Sequence, residues 1–191
     1  MLDSEDRRCD VEEVVLVDEQ GKELGFARKS EVHTRHTPLH LAFSCYLVND
    51  QGQILVSRRA LEKKTWPGVW TNSFCGHPGR NEATTAAVIR RAAGELGTSI
   101  TALRLALPDF RYRAVDASGI VENELCPVFI ANVTDTLRPN PAEVAEWSWV
   151  DRTALVNAAR STPFAFSPWM VLQLPQMDPI LAQHENKERA V

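Results

Sequence analysis

Glu122 and Glu124 stand two residues apart in Gly119-Ile-Val-Glu122-Asn-Glu124-Leu-Cys-Pro-Val-Phe-Ile, a run of strand composition that turns almost wholly apolar after the second acid. In an extended chain both side chains point to one face. Alternating charge in a hairpin usually ends on a solvated face, but a strand that enters the core so soon carries its acids in with it. Two carboxylates buried side by side cost several kcal/mol unless a cation or a shared proton offsets their repulsion. The fold must therefore bring cationic or metal-holding groups to this strand.

Histidines are the natural co-ligands. His33, His36 and His40 crowd into eight residues, and His77 follows Cys75 by two in Trp66-Pro-Gly-Val-Trp-Thr-Asn-Ser-Phe-Cys75-Gly-His77-Pro. If that segment is extended, Cys75 and His77 share a face. Two or three imidazoles with one or two carboxylates suit zinc, manganese or iron better than calcium or magnesium. Most free cysteines are small buried hydrophobes, and Cys9, Cys45 and Cys126 read that way. Cys75 differs, because a thiol beside a ligand-type histidine in a Gly- and Pro-bounded loop sits where reactive groups are displayed.

At 191 residues with 44% hydrophobic and 24% charged residues, the chain is sized for one well-packed domain. Its net charge of -4 leaves no basic excess and argues against nucleic acid as a partner. The cysteines show no Cys-x-x-Cys spacing, no apolar leader opens the chain, and no window approaches the length of a membrane span. These features predict a soluble, cytoplasmic chain without membrane contact, and nothing in the sequence announces an interface, so a monomer is expected.

Residues 1–10 read as a frayed tail, 11–183 as the domain and 184–191 as a polar C-terminal tail. Within the domain, 11–18 reads as a strand, 41–48 with 54–57 as a hairpin, 110–115 with 120–133 as a second hairpin, and 146–150 as a further strand. Asn81 is the expected N-cap of a helix whose apolar stripe is Ala86, Ile89, Ala93 and Leu96, closed by Gly97. Asp151 is expected to cap a helix to about Ala159, and Pro168 to open another. Strands and helices interleave without a regular βαβ rhythm, which predicts an α+β fold: a mixed sheet flanked by helices in one layered domain.

Lys29, Arg58, Arg59, Lys63, Lys64, Arg90 and Arg91 flank the Cys75 segment and the helix. Several of them aimed at one mouth would bind a diphosphate through charge-assisted bonds. Glu95 lies four residues after Arg91, a spacing that fits an ion pair or a metal held between helix and phosphate.

Gly76-His-Pro-Gly-Arg-Asn-Glu82, seven residues, then Arg90-Arg-Ala-Ala-Gly94-Glu95-Leu-Gly97 resembles the Nudix box, with Arg91 and Gly94 where that box has acids. The cluster with which Nudix hydrolases activate water is thereby thinned to Glu95. Within that superfamily the chain resembles the type I isopentenyl-diphosphate isomerases through Arg58-Arg-Ala-Leu-Glu-Lys-Lys-Thr-Trp-Pro-Gly-Val-Trp-Thr-Asn-Ser-Phe-Cys-Gly-His-Pro, Phe110-Arg-Tyr-Arg-Ala, Gly119-Ile-Val-Glu-Asn-Glu-Leu-Cys-Pro-Val-Phe and Phe166-Ser-Pro-Trp-Met. The likeness spans about residues 11 to 175 and implies a Nudix-like fold. An additional histidine, His36, departs from the pattern.

The resemblance implies interconversion of isopentenyl and dimethylallyl diphosphate in isoprenoid biosynthesis, by protonation and deprotonation through a tertiary carbocation. It implies that His33, His40, His77, Glu122 and Glu124 bind one divalent metal, Mn2+ or Zn2+, and that Glu95 helps hold Mg2+ on the substrate diphosphate. The chemistry needs two acid/base groups, for which Cys75 and Glu124 are the candidates, with Tyr112 assisting Glu124. Trp169 is the candidate to shield the cation, and Lys29, Arg59, Lys63 and Arg91 are the candidate diphosphate contacts. A diphosphate hydrolase and a zinc-stabilised binding module stand as the alternatives.

Overall fold

The computed structural model describes residues 12–133 and 135–188, so the tail expected over 1–10 lies outside the described residues. In chain order the elements are β1 (Glu13–Val17), β2 (Glu23–Arg28), α1 (Lys29–Val32), β3 (His40–Leu41), β4 (Phe43–Val48), β5 (Ile54–Arg59), β6 (Trp70–Thr71), β7 (Phe74–Gly76) and α2 (Thr84–Leu96). Then come β8 (Ile100–Leu107), β9 (Arg111–Val115), β10 (Val121–Leu125), β11 (Val128–Val133), β12 (Val144–Val150), α3 (Arg152–Ser161), a 3-10 turn (Pro163–Ala165) and α4 (Pro168–Glu188).

The strands form two sheets. The smaller runs β2-β1-β3-β10-β9, and the larger runs β12-β5-β4-β11-β8 with β6 on β5 and β7 on β4. The run expected as one strand over 120–133 is therefore two. It breaks at Cys126-Pro127, where proline has no N–H for a ladder, and Cys126 N donates instead to Phe110 O at 2.8 Å. β3 and β4 part at the same level, across Ala42. Both members of this parallel pairing, β3 with β10 and β4 with β11, pass from the smaller sheet to the larger together.

β4 is buried throughout, and its alternation feeds two cores. Phe43, Cys45 and Leu47 pack with Phe74, Phe129 and the helix α2, while Tyr46 and Val48 pack with α3 and α4 through Leu155, Trp169, Met170 and Leu174. The larger sheet is thus the middle layer between α2 and the α3–α4 pair. This is the expected α+β layering, with two mixed sheets in place of one.

Details of α2 differ from the expected ones. Its N-cap is Ala83, while Asn81 takes a left-handed turn at φ 59°. Its buried stripe is Ala87, Val88, Ala92, Glu95 and Leu96, and Ile89 is 54% exposed. Alanine pairs at 86–87 and 92–93 let either stripe read as apolar, and the packed one is a residue further round. Gly97, at φ 59°, closes the helix as expected, with its N–H reaching the carbonyls of Ala92 and Ala93. Asp151 caps α3 through Ala154 N at 2.9 Å. α4 runs to Glu188, past the 184 boundary expected for the tail.

Candidate active site

The loop between α1 and β3 is tied to β10 before it delivers its histidines. Thr37 Oγ1 donates to Val121 O at 2.6 Å, Val121 N donates to Thr34 O at 2.8 Å, and Asn123 Nδ2 donates to Thr37 O at 3.3 Å. β3 then sets His40 directly beside Glu124 in register. His77 arrives just past β7, in a turn clamped to α2 by Arg90, which donates to His77 O at 3.2 Å and to both Glu82 oxygens at 2.8 Å.

Glu124 Oε1 lies 3.1 Å from His77 Nε2, 3.5 Å from His40 Nε2 and 4.0 Å from His33 Nε2. One ligand atom from each of the four residues falls within 4.8 Å of the others. Three imidazole nitrogens, His33 Nε2, His40 Nε2 and His77 Nδ1, are buried without a hydrogen-bond partner among the described residues. His40 Nδ1 lies 3.0 Å from Pro38 O, which can only accept, so Nδ1 carries the proton and Nε2 presents a lone pair. Three imidazoles and a carboxylate with unspent nitrogens fit a divalent transition metal. His36 is exposed and stays outside the group.

Glu122 stands apart from these four. Its Oε1 accepts from Thr65 Oγ1 at 2.6 Å and its Oε2 from Tyr112 OH at 2.6 Å. The same phenol lies 2.9 Å from Glu124 Oε2. One phenolic proton cannot serve both carboxylates, so the array is satisfied when one acid holds a proton and the phenol passes the bond along. The electrostatics agree. Burial and the neighbouring Glu124 charge raise Glu122 above the ordinary carboxylate range. Glu124 is raised by burial too, but its three histidine partners outweigh this and hold it well below that range.

A cavity of about 560 Å³ opens beside this group, and Cys75, His33, His77, Tyr112, Glu122, Glu124 and Trp169 line it. Cys75 enters from β7 of the larger sheet and Glu124 from β10 of the smaller. Burial pushes the Cys75 thiol up to about 12, so it is protonated at neutral pH. Trp169 forms part of the wall, edge-on to Trp66 with ring centroids 5.6 Å apart. Arg59 Cζ lies 5.3 Å from the Trp169 centroid, so this indole already faces a cation.

The four basic residues picked out as diphosphate contacts, Lys29, Arg59, Lys63 and Arg91, all line the cavity. Lys29 pairs with Glu12 at 2.9 Å, Lys63 with Glu143, and Arg91 with Glu95 and, at 3.3 Å, Glu143. Arg59 is occupied differently, since it donates to Thr65 O at 2.9 Å and Trp66 O at 3.1 Å and so braces the loop before β6. Glu95 is buried and touches the cavity-lining Arg91 without lining the cavity itself. Sequence reasoning missed Thr65, Glu143, Asn72 and Ser44. Only the last had a signal, a serine at i−2 from Tyr46 in an otherwise apolar strand.

No helix among the described residues is long and apolar enough to cross a membrane. The NUDIX domain model matches residues 38–170. Among solved structures, a Deinococcus radiodurans protein superposes with a TM-score of 0.69 at 20% identity, covering 86% of this chain and 98% of its own, which speaks to the fold alone. In sequence, the isopentenyl-diphosphate Delta-isomerase of Paenarthrobacter aurescens is 59% identical over 166 residues, 87% of this chain and 90% of the relative. The protein of the same name from Leifsonia xyli subsp. xyli is 60% identical over 168 residues, 87% of this chain and 91% of the relative. The chain belongs, within the NUDIX domain superfamily, to the isopentenyl-diphosphate Delta-isomerase family.

Proposed function

We propose that the chain interconverts isopentenyl diphosphate and dimethylallyl diphosphate, with Cys75 and Glu124 as the opposed acid/base pair. The observation that carries this reading is a thiol from one sheet and a carboxylate from the other, opening into a single cavity whose mouth is basic. Moving the double bond needs a proton added at one end of the five-carbon unit and another removed from the far side, so each group gives or takes one proton per turnover. Tyr112 connects Glu124 to Glu122 and lets that side hold a proton as well as release one.

The cation formed between the two steps must be kept from water. The Trp169 face stabilises it by about 2 kcal/mol when desolvated, and Asn72 fixes the ring by accepting from Trp169 Nε1 at 3.0 Å. Lys29, Lys63 and Arg91 hold the diphosphate, and Arg59 keeps the loop bearing Thr65 and Trp66 over the site. Arg91 stands where the hydrolase motif has an acid, which favours binding the diphosphate over attacking it.

His33, His40, His77 and Glu124 would hold Mn2+ or Zn2+, with Glu122 as the further ligand through the free lone pairs of its carboxylate, and Glu95 would share Mg2+ with the substrate. A metal held there would fix the carboxylates and lower their basicity. The partner is a small prenyl diphosphate, and no nucleic acid is involved. We also assign the chain to the cytoplasm as a monomer, in keeping with Cys45, Cys75 and Cys126, which are free thiols.

The test is incubation with isopentenyl diphosphate and Mg2+ in deuterated water, following isomer ratio and deuterium content beside Cys75→Ala. An approach to equilibrium with deuterium in the product, abolished in a folded and metal-loaded variant, is the expected result. Release of phosphate without isomerisation would replace this reading by hydrolysis.

A further inference from the structure

Behind Cys75 the cavity wall gives way to polar side chains enclosed in the core. Ser44, Tyr46, Asn72 and Gln173 are all fully buried. β4 puts Ser44 and Tyr46 on one face, where the Gln173 amide bridges their hydroxyls. Tyr46 OH donates to Gln173 Oε1 at 3.1 Å, which turns the Gln173 amide nitrogen toward Ser44, and Nε2 donates to Ser44 Oγ at 2.9 Å. Having accepted that bond, Ser44 Oγ keeps one lone pair and one proton for two thiols, Cys75 Sγ at 3.3 Å and Cys126 Sγ at 3.5 Å, and either member of each pair can be the donor.

Asn72 completes the arrangement from the other side. Its Nδ2 donates to Cys45 O at 3.1 Å and Phe74 O at 2.8 Å, so Oδ1 is the atom that faces Cys75 at 3.3 Å, where it is shared with Trp169 Nε1 at 3.0 Å and Thr71 Oγ1 at 2.9 Å. A Cys75 sulfur without its proton can only accept, so in that state the hydroxyl of Ser44 is the donor of this pair.

We propose that Ser44 is a positioning residue for the isomerisation, its hydroxyl aimed by Gln173 and Tyr46 so that it donates to the Cys75 sulfur while that sulfur is without its own proton. The inference rests on the acid/base reading of Cys75. In whichever direction the reaction runs, the S–H bond is broken for part of the cycle. The proton goes to carbon or to solvent and the electron pair rests on sulfur. A buried anion is costly without a donor, and a hydrogen bond to an anion is stronger than one to a neutral thiol. The Ser44 bond thus favours the reacting state over the resting one, which is the condition for accelerating a step.

A double-mutant cycle in the isomerase assay tests the chain. Ser44→Ala is expected to lower kcat on the order of tenfold with KM for isopentenyl diphosphate changed less than about twofold. Tyr46→Phe, which removes only the far hydroxyl, is expected to lower kcat a few-fold, and the double variant to be no slower than Ser44→Ala alone. Metal content and far-UV dichroism are expected to match the parent. Losses that multiply, or an unchanged kcat in Ser44→Ala, would overturn the proposal. If Ser44→Ala does not fold, an unchanged kcat in Tyr46→Phe overturns it and a lowered kcat at constant KM supports it. Cys75→Ala in the same assay separates the two levels. If it still isomerises, the reading of Cys75 falls; if it is inactive while Ser44→Ala is not slowed, only the role of Ser44 falls.

Discussion

His40 and His77 lie with ring centroids 5.2 Å apart, yet their surroundings push them in opposite directions. Burial lowers His77 to about 4. Burial acts on His40 in the same sense, but the Glu124 carboxylate outweighs it and leaves His40 raised. An unfolded histidine titrates at about 6.5, so between there and 4 the unfolded chain takes up the His77 proton first. The metal-free protein should therefore lose up to about 1.4 kcal/mol of stability per pH unit as pH falls through this window, while the gain from protonating His40 accrues above it and is complete below about 6.5. Urea midpoints in chelator at pH 7.5 and 5.0 check this, because His77→Gln should narrow the gap between them. An equal gap in the variant would place the acid sensitivity elsewhere. The histidines, the carboxylate pair and Cys75 were legible in the sequence because few residue types do such chemistry and their spacings are short. Asn72, Thr65 and Glu143 were not, because a single polar residue acquires a role only from what the fold sets beside it.

At the scale of the element, α2 offers two glycines with opposite expectations. A Cβ at Gly97, where φ is 59°, would lie 2.4 Å from Arg138 O, so Gly97→Ala should destabilise by about 2 kcal/mol or more. A Cβ at Gly94 meets nothing within 4 Å inside a regular helix, so Gly94→Ala should stabilise by up to about 1 kcal/mol. Denaturant titration of the two variants reads both signs at once, and a loss of stability in Gly94→Ala would mean that this turn is under strain. Gly76 has another task, since its Cβ would fall 2.8 Å from Arg91 Cγ and 2.9 Å from Phe43 Cζ. Its bare backbone is what lets the Arg91 stem pass the strand to the cavity. The sequence showed that α2 exists and where it ends, through Gly97, but not its packed face. β8 went unread because exposed and half-buried residues follow no two-residue period along it, on a sheet edge where Ala102 turns left-handed at φ 49°.

Across the whole molecule, His40 and Glu124 belong to the smaller sheet and His77 follows a strand of the larger one. A metal held by this group therefore joins the two sheets as well as serving the site. Removing it with a chelator should lower the melting temperature, by on the order of 8–16 °C if the metal stood near a thousandfold above its dissociation constant. Readdition of Mn2+ or Zn2+ should restore it, and His40→Ala should be insensitive to both treatments; a parent protein indifferent to chelator would refute a metal at this group. The layering of the domain was legible from the interleaving of strands and helices, but its division into two sheets was not, because the switch rests on Ala42 and Pro127 lying at one level in space. One consequence concerns descent. Neither Arg91 nor Gly94, the two departures from the hydrolase motif, belongs to the buried core, and a side chain at 94 would project into open space. An acid at 94 therefore asks nothing of the scaffold, whereas one at 91 would face Glu95 and Glu143 with their cation gone, so a passage between the two diphosphate chemistries turns on the partners of a single helix position.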